Sequence, residues 1–295
     1  MRADVEKAVQ LLQDGGDGAI EQALALLQST VFNFSMKVCG HREDAEDTMQ
    51  DVLLKSLPYL PTFSSAKALG VWLYKVARNR CLMGRRRSKF APQEHLALEE
   101  LMPDALELER LEKAPAPTPE SLLLKKEDAD RLQRAVLALS PQYRIVLVLH
   151  DMEGLDTSEI GSILDLREGT VRVRLHRARL ALRKELARPE QPDARSEASK
   201  PEAKKSKFRR CRDLFAQLSE YLDGTLEVSL CDEIQKHMKN CRGCEAFLAD
   251  LERTVKRCQQ YNPADASACA EKMRRELLEA YRRVANSSAT SEARA

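Results

Sequence analysis

His237, Cys241 and Cys244 form a His-x3-Cys-x2-Cys cluster. Imidazole nitrogen and thiolate sulfur are the donors that tetrahedral zinc takes, whereas calcium, magnesium and manganese favour oxygen. Residues three and four apart stack on one helical face, so the expectation is that all three ligands share a stripe on one helix. One further ligand completes the set. Cys211 is the expected fourth, because it opens the amphipathic segment Phe208 to Leu222 and a second helix packed alongside would bring its thiolate to the ion. The reading is one zinc ion held by Cys211, His237, Cys241 and Cys244. The plainer alternative makes the cysteines small buried hydrophobes and His237 a surface histidine, and the compact spacing favours the ion. Four protein ligands leave no open position for catalysis. With no phosphate-cradling glycine loop and no nucleophile triad, the sequence does not read as an enzyme. Cys231, Cys258 and Cys269 offer either a second metal site or a disulfide partner.

A second chemistry lies in Leu155 to Leu186. Asp156 and Glu159 have capping-box spacing, which predicts a short helix from Thr157 to about Leu164. After a tight turn, Val171, Leu175, Ala178 and Leu182 recur at helical spacing and must face a core. That fixes the other faces. Val173, His176 and Arg177 point nearly opposite the stripe, Arg172, Arg179 and Arg183 lie on one flank, and Arg174 on the other. Between Arg167 and Arg188 there are eight Lys or Arg against two acids, Glu168 and Glu185. Flanking arginines would neutralise phosphates, and outward side chains near the helix start would reach base edges. A solvated cationic face is the bland alternative.

Helices must position both chemistries. Aromatics make up 5% of the chain and charged residues 32%, and Leu, Ala, Glu and Arg dominate, so the fold class is all-α. The net charge of +2 over 295 residues hides local segregation, and only local charge bears on partners. Met1 to Gln13 lacks a signal-peptide apolar core, and Ile145 to Leu149 is too short to span a bilayer. The expectation is a cytoplasmic protein with no membrane contact. In a reducing compartment the eight cysteines read as ligands, sensors or buried thiols rather than a disulfide framework, with Cys39 and Cys81 as core residues.

Breaks in periodicity divide the chain. A helical part covers 1–90, interrupted at Pro58 and Pro61 and stopped by Gly84 to Arg87. An acidic linker, 91–120, ends in Ala114 to Pro119, too donor-poor for helix. A second helical part covers 121–188. A Pro, Ser, Glu and Lys-rich tether, 189–207, reads as flexible. The third part, 208–285, carries the cysteine cluster and an amphipathic segment, Glu271 to Val284, with Met273, Leu277, Tyr281 and Val284 on one side. A disordered tail covers 286–295.

On these residues the chain resembles the extracytoplasmic-function group of bacterial RNA polymerase sigma factors, over nearly all of 5–187. Leu139 to Arg144, Asp151, Gly154, Leu155, Glu159 and Ile160, then Gly169 to Arg172 and His176 to Arg179, look like the family's fourth region. That likeness implies a helix-turn-helix reading the minus-thirty-five element through Arg172, Val173, Arg174, His176, Arg177 and Arg179. Asp44 to Asp47 with Gln50, Asp51 and Val52 look like the core-binding helix of region two, a helical bundle. Asp47, Gln50 and Asp51 share one face and would present carboxylates and an amide to a basic partner, here RNA polymerase core. Trp72 to Asn79 look like the helix that recognises the minus-ten element. Trp72, Tyr74 and Asn79 with Lys75, Arg78, Arg80 and Arg85 to Arg87 supply the aromatic platforms and cations that single-stranded promoter DNA requires. The resemblance assigns Asn79 to a flipped base. Trp72 alone would more often anchor a core.

The third part resembles a zinc-binding anti-sigma domain, here fused in cis. Tyr221 to Gly224 ahead of His237, Cys241 and Cys244 carry that likeness, and Cys211 sits where the family often places its remaining ligand. A tether of about twenty residues spans about 25 Å and holds its ends near millimolar effective concentration. The expectation is an intramolecular contact in which this domain covers polymerase- or DNA-binding surfaces until thiol oxidation or metal exchange releases it. The rival reading is a helix-turn-helix regulator with a structural zinc and no role on core polymerase, which leaves the first part unexplained.

Overall fold

A computed structural model describes residues 3–15, 18–86, 101–113, 126–188, 211, 214–262, 275, 279 and 283. Among these residues there is no strand, as the all-α composition requires. The chain forms two compact units that are discontinuous in sequence.

The first unit combines Met1–Pro92 with Val148–Glu168 and the carboxyl-terminal residues from Asn262. Helices α1 (Ala3–Asp14), α2 (Ala19–Cys39), α3 (Arg42–Ser56) and α4 (Ala66–Arg86) pack around α2. Gly40, in the left-handed region at φ 82°, ends α2 and donates its N–H to Met36. Such a cap satisfies an orphan carbonyl where a side chain would be strained. Between α3 and α4 the Pro58 and Pro61 interruption becomes a 3-10 turn, Leu60–Thr62. The core is aliphatic and aromatic: Leu24, Leu27, Phe32, Phe34, Met49, Leu53, Leu69 and Leu73 are all buried. Set into it is an ion pair. Lys37 Nζ donates to Glu153 Oε1 at 2.7 Å, and Tyr74 Oη donates to Glu153 Oε2 at 2.9 Å. Both charged side chains are essentially inaccessible. Removing one charge would leave the other buried without its counter-ion, at about 3–5 kcal/mol.

The second unit combines Gln93–Leu147 with Gly169–Tyr261. It holds α5 (Ala105–Lys113), α6 (Lys126–Ala138) and α7 (Pro141–Leu147), which runs on into a π-helical turn, Val148–Met152, belonging to the first unit. Helix α8 (Thr157–Leu164) also belongs to the first unit, and α9 (Glu168–Ala187) lies almost wholly in the second. Helices α10 (Leu218–Leu222), α11 (Val228–Asn240) and α12 (Arg242–Gln260) complete it. The buried guanidinium of Arg144 donates to the backbone carbonyls of Val136, Leu137 and Leu139, capping the carboxyl end of α6. A cation there meets both the orphan carbonyls and the negative end of the helix dipole.

Two expectations need correction. The stretch 91–120 is not uniformly linker, since α5 forms within it and packs against α12. Asp104 Oδ1 caps that helix by accepting from Glu107 N at 2.7 Å, and Leu101 and Leu108 are buried. The two helices approach closely: a Cβ on Gly243 would stand 3.1 Å from Leu108 Cβ. Cys39 and Cys81 are buried as expected, but they are joined to each other rather than left as thiols. The segment Glu271 to Val284 lies outside the described residues apart from helical Arg275, Glu279 and Arg283, and Cys269 lies outside them altogether.

Candidate metal centre and nucleic-acid interface

The ligand atoms of Cys211, His237, Cys241 and Cys244 all lie within 4.8 Å of one another. His237 Nε2 stands 3.4 Å from Cys211 Sγ and 3.3 Å from Cys244 Sγ, and Cys241 Sγ stands 3.3 Å from Cys244 Sγ. A tetrahedron with metal bonds of about 2.0–2.3 Å has edges of about 3.5–3.8 Å, a size that lies between the short 3.3–3.4 Å separations and the 4.8 Å limit of the quartet. Three soft sulfurs and one imidazole fit a tetrahedral ion and not a hard, oxygen-seeking one. The four residues are thus placed and typed to hold a metal ion.

The quartet sits on elements that differ from the expected single stripe. His237 lies in the last turn of α11, Cys244 in the first turn of α12, and Cys241 joins them in an extended conformation, φ −140° and ψ 90°. Geometry explains the break. On one continuous helix His237 and Cys244 would be about 10 Å apart along the axis, too far to share an ion. Burial raises the Cys211 and Cys244 thiol pKa values above the ordinary range, since it disfavours an uncompensated thiolate. A divalent cation would supply the missing compensation. Cys231 is half-buried with its thiol on the Leu226 carbonyl, Cys258 is fully buried, and among the described residues there is no second cluster of metal-ligating side chains.

Helix α8 starts as its sequence dictates. Asp156 accepts from Glu159 N at 2.7 Å, and Glu159 Oε2 accepts from Asp156 N at 3.1 Å, the full capping box. Asp165 ends the helix in the left-handed region at φ 56°. The turn demands Gly161, because a Cβ there would lie 2.8 Å from the Leu166 carbonyl oxygen.

On α9 the stripe Val171, Leu175, Ala178 and Leu182 is buried as the periodicity requires. Val173 is 54% exposed, and Arg172, Arg174 and Arg177 are half-buried. The other side chains read as outward or flanking are covered. His176, Arg179 and Arg183 are 6%, 1% and 3% exposed. His176 Nδ1 lies 3.0 Å from Ser219 Oγ, and its Nε2 has no hydrogen-bond partner among the described residues. Burial, with Arg179 and Arg177 nearby, lowers the His176 pKa to about 4, so the ring is neutral. Arg179 donates through Nη1 and Nη2 to both carboxylate oxygens of Asp223, at 2.9 and 2.7 Å, and through Nη1 to the Ser219 carbonyl. Arg183 donates to Glu107, stacks 4.2 Å above the Phe247 ring, and holds Asp250 Oδ2 2.9 Å from its Nε at an angle that makes an ion pair rather than a hydrogen bond. These carboxylates were the residues sequence reasoning missed. Asp223 follows α10, and Asp250 lies two turns into α12 from Cys244.

In the first unit, Asp47 is exposed, Gln50 is half-buried, and Asp51 pairs with Arg80 at 2.8 Å. Trp72 is half-buried between Tyr59 and Phe63, with ring centroids 6.1 and 6.2 Å away. Asn79 is exposed. Lys75 donates to Asp165 at 2.8 Å, holding that carboxyl below its usual pKa, and Arg78 donates to the Ile163 carbonyl at 3.0 Å. Tyr74, expected among the DNA-facing aromatics, is instead buried edge-on to Phe34 at 4.9 Å. The side chains of Arg85 and Arg86, and all of Arg87, lie outside the described residues. Among the described residues no helix is long and apolar enough to cross a membrane.

Three family models match, and they fall on these elements. Sigma-70 region 2 matches residues 24–90, sigma-70 region 4 matches 129–182, and a zinc-finger family matches 211–244. The extracytoplasmic-function sigma factor SigW of Bacillus subtilis is 27% identical over 186 residues, 63% of this chain and 98% of the relative. The extracytoplasmic-function sigma-E factor of Escherichia coli K12 is 31% identical over 148 residues, 47% of this chain and 72% of the relative. A solved structure of the sigma factor RpoE in complex with the anti-sigma factor NepR from Bartonella quintana aligns at 21% identity and a TM-score of 0.41, covering 57% of this chain and 97% of that one. Two sigma regions in order, helical throughout, and a relative matched over most of its length place the chain in the extracytoplasmic-function family of RNA polymerase sigma factors, with a zinc-finger domain fused behind them.

Proposed function

We propose that this chain directs RNA polymerase core to specific promoters, and that its carboxyl-terminal metal domain restrains it in cis by occupying the arginines of α9. The observation that carries the reading is the pairing of Arg179 with Asp223 and of Arg183 with Glu107 and Asp250. Carboxylates stand where backbone phosphates would have to sit, and one guanidinium fork cannot serve both. DNA binding and the restrained state are mutually exclusive for these side chains.

In the released state α9 would present Arg172, Val173, Arg174, His176, Arg177 and Arg179 to the minus-thirty-five element. The exposure of Val173 near the helix start supports base-edge contact there. Trp72, flanked by Tyr59 and Phe63, offers a stacking platform, and Lys75 and the exposed Asn79 follow it on α4 as minus-ten contacts. Asp47, Gln50 and Asp51 on α3 would engage core polymerase. Lys75 and Arg78 are held by α8, the same device of occupying DNA-facing cations with the chain's own acceptors. The division we assign is region 2 over 1–90, region 4 over 121–188 and the restraining domain over 208–285, with the cytoplasm as the site of action.

The metal is zinc in this reading, one ion on Cys211, His237, Cys241 and Cys244. Bound there it would tie the start of α12 to the Cys211 segment and contribute on the order of 10 kcal/mol to folding a domain with a thin core. Both halves of the restraint start from ligands. From Cys211 the chain runs through Phe215 and Ser219 to Asp223, in steps of four, and from Cys244 through Phe247 to Asp250, in steps of three. Phe215 and Phe247 meet edge-on at 4.9 Å. Oxidation of the thiols would part these segments and shift the population to the released form.

The test is promoter-specific transcription with purified core polymerase and the full-length chain, with and without a zinc chelator. Initiation should depend on the chain and increase when metal is removed. Absence of initiation under every condition would overturn the sigma-factor reading. Activity that is unchanged or lower on chelation would overturn the restraint.

A further inference from the structure

Cys39 and Cys81 take no part in the metal centre. Cys39 is the last residue of α2, fixed by the Gly40 cap, and Cys81 lies in the second half of α4. Their Cα atoms are 5.7 Å apart, at the ordinary disulfide separation, and the two sulfurs are bonded. A third helix reaches the same point, since Thr48 Oγ1 of α3 lies 3.8 Å from Cys81 Sγ. Around the two cysteines Phe34, Leu73, Tyr74 and Ala77 are buried, with Phe34 and Tyr74 in edge contact between α2 and α4. Packed side chains of α2 and α4 thus flank the pair, with α3 reaching it through Thr48.

We propose that Cys39 and Cys81 are a reversible thiol–disulfide pair, chemically separate from the metal centre, which a low-molecular-weight disulfide oxidises to a cross-link between the end of α2 and α4. A deprotonated thiol of the pair attacks one sulfur of the small disulfide and forms a mixed disulfide, expelling one small thiolate, which takes up a proton. The second protein thiol gives up its proton and attacks the protein sulfur of that mixed disulfide, expelling the other small thiolate. Two protein thiols are oxidised by two electrons, one small disulfide is reduced to two small thiols, and no other reactant is needed. Both cysteines are nearly buried, at 5% and 6% exposure, so the exchange is slow and selects a small partner.

The consequence follows from what the cross-link encloses. Its sequence separation of 42 takes in all of α3, with Asp47, Gln50 and Asp51, the 3-10 turn, and Trp72 to Asn79 of α4. The residues assigned to polymerase and to the minus-ten element thus lie inside one closable loop. Oxidation restricts the unfolded states of this loop. The pair is a redox-set staple on the sigma region itself, and it does not depend on the α9 restraint.

The experiment uses the full-length, metal-loaded chain in glutathione buffers of stepped redox ratio under anaerobic conditions. Alkylation followed by peptide mass spectrometry quantifies the Cys39–Cys81 cross-link, a colorimetric chelator follows released metal, and limited proteolysis follows α3 and α4. The cross-linked peptide should rise with oxidised glutathione and fall again with reduced glutathione while the metal stays bound. Cleavage within 40–80 should slow on the order of tenfold in the cross-linked form. The Cys39→Ser and Cys81→Ser chains should show neither change. Comparison of oxidised with reduced wild-type protein needs no variant, so the test survives a variant that folds poorly. Failure of the pair to cross-link in the most oxidising buffer overturns the proposal, as does a cross-link that forms only together with metal loss, or one that leaves cleavage unchanged.

Discussion

Asp223→Asn separates the restraint on α9 from the DNA-reading residues, because it alters the partner of Arg179 and leaves Arg179 itself intact. The Arg179 side chain is 1% exposed and Asp223 17%, with two charge-assisted hydrogen bonds between them. Stripping the charge from one member of a buried pair costs about 3–5 kcal/mol, and the partial exposure of Asp223 lowers that to about 2–3 kcal/mol, since water reaches the vacated oxygen position. An equilibrium constant between restrained and released forms would move by a factor of about 30–150. Where the restrained form predominates, apparent affinity for DNA rises with the released fraction, by up to that factor. Fluorescence anisotropy with a labelled minus-thirty-five duplex, on full-length protein whose metal content is measured in the same sample, reads the effect. An affinity equal to wild type, with metal retained, would refute the argument that Asp223 competes with phosphate for Arg179.

Other outcomes follow from the same geometry. Cys244→Ser removes a ligand and should lose the bound metal and melt α11 and α12, a loss on the order of 10 kcal/mol visible as reduced helical circular dichroism and as increased DNA binding. The His176 pKa near 4, against 6.5 for an exposed imidazole, stabilises the restrained form fully above pH 6.5. That contribution, at most about 3 kcal/mol, is lost as pH falls from 6.5 through 4, where protonation would place a cation beside Arg179 and a donor on an unpartnered Nε2. Protection of α9 amides relative to their intrinsic, pH-dependent exchange rates should therefore fall over that window in wild type and not in His176→Gln. Lys37→Met removes the cation from a buried carboxylate that keeps its Tyr74 hydrogen bond, and should cost about 3–5 kcal/mol in denaturant unfolding of the first unit, while adding Glu153→Leu should recover much of it. Asp47→Lys reverses a charge on an exposed face and should weaken co-purification with core polymerase while leaving stability within about 0.5 kcal/mol.

What was legible in the sequence was periodic or local. The stripe Val171, Leu175, Ala178 and Leu182 and the Asp156 and Glu159 box each depend on spacings of three or four, and the structure reproduces them. The metal quartet was legible in composition, yet its geometry was not, because the break at Cys241 is a backbone event that ligand spacing does not report. Helix α5 did carry a signal in Asp104 and Glu107, another capping-box spacing, with Leu108 and Leu111 at helical spacing, but its nine residues are short and lie in an acidic stretch that ends in prolines. Burial of His176, Arg179 and Arg183 depends on Glu107, Ser219, Asp223, Phe247 and Asp250, which lie 40 to 76 residues away along the chain. Contacts over such distances leave no periodicity. The same holds for Cys39 and Cys81, which are 42 residues apart and carry no spacing that marks them as a pair.

Helix α9 is buried on two sides, and the second side changes how its arginines are to be read. A helix that only lies in a groove needs one apolar stripe for its own core and a solvated cationic face. Here Leu180 and Ala181 are buried together with His176, Arg179 and Arg183, so the second face has a packed boundary of its own. Burying two guanidiniums costs several kcal/mol each unless every charge is answered. Asp223, Glu107 and Asp250 answer them, with the Phe247 ring closing over Arg183. Each arginine thus meets an acid instead of solvent or a phosphate. Under the proposed restraint, DNA would have to displace these acids, and the choice between the two states would be tied to whatever keeps Asp223 and Asp250 in place, the segments that begin at Cys211 and Cys244.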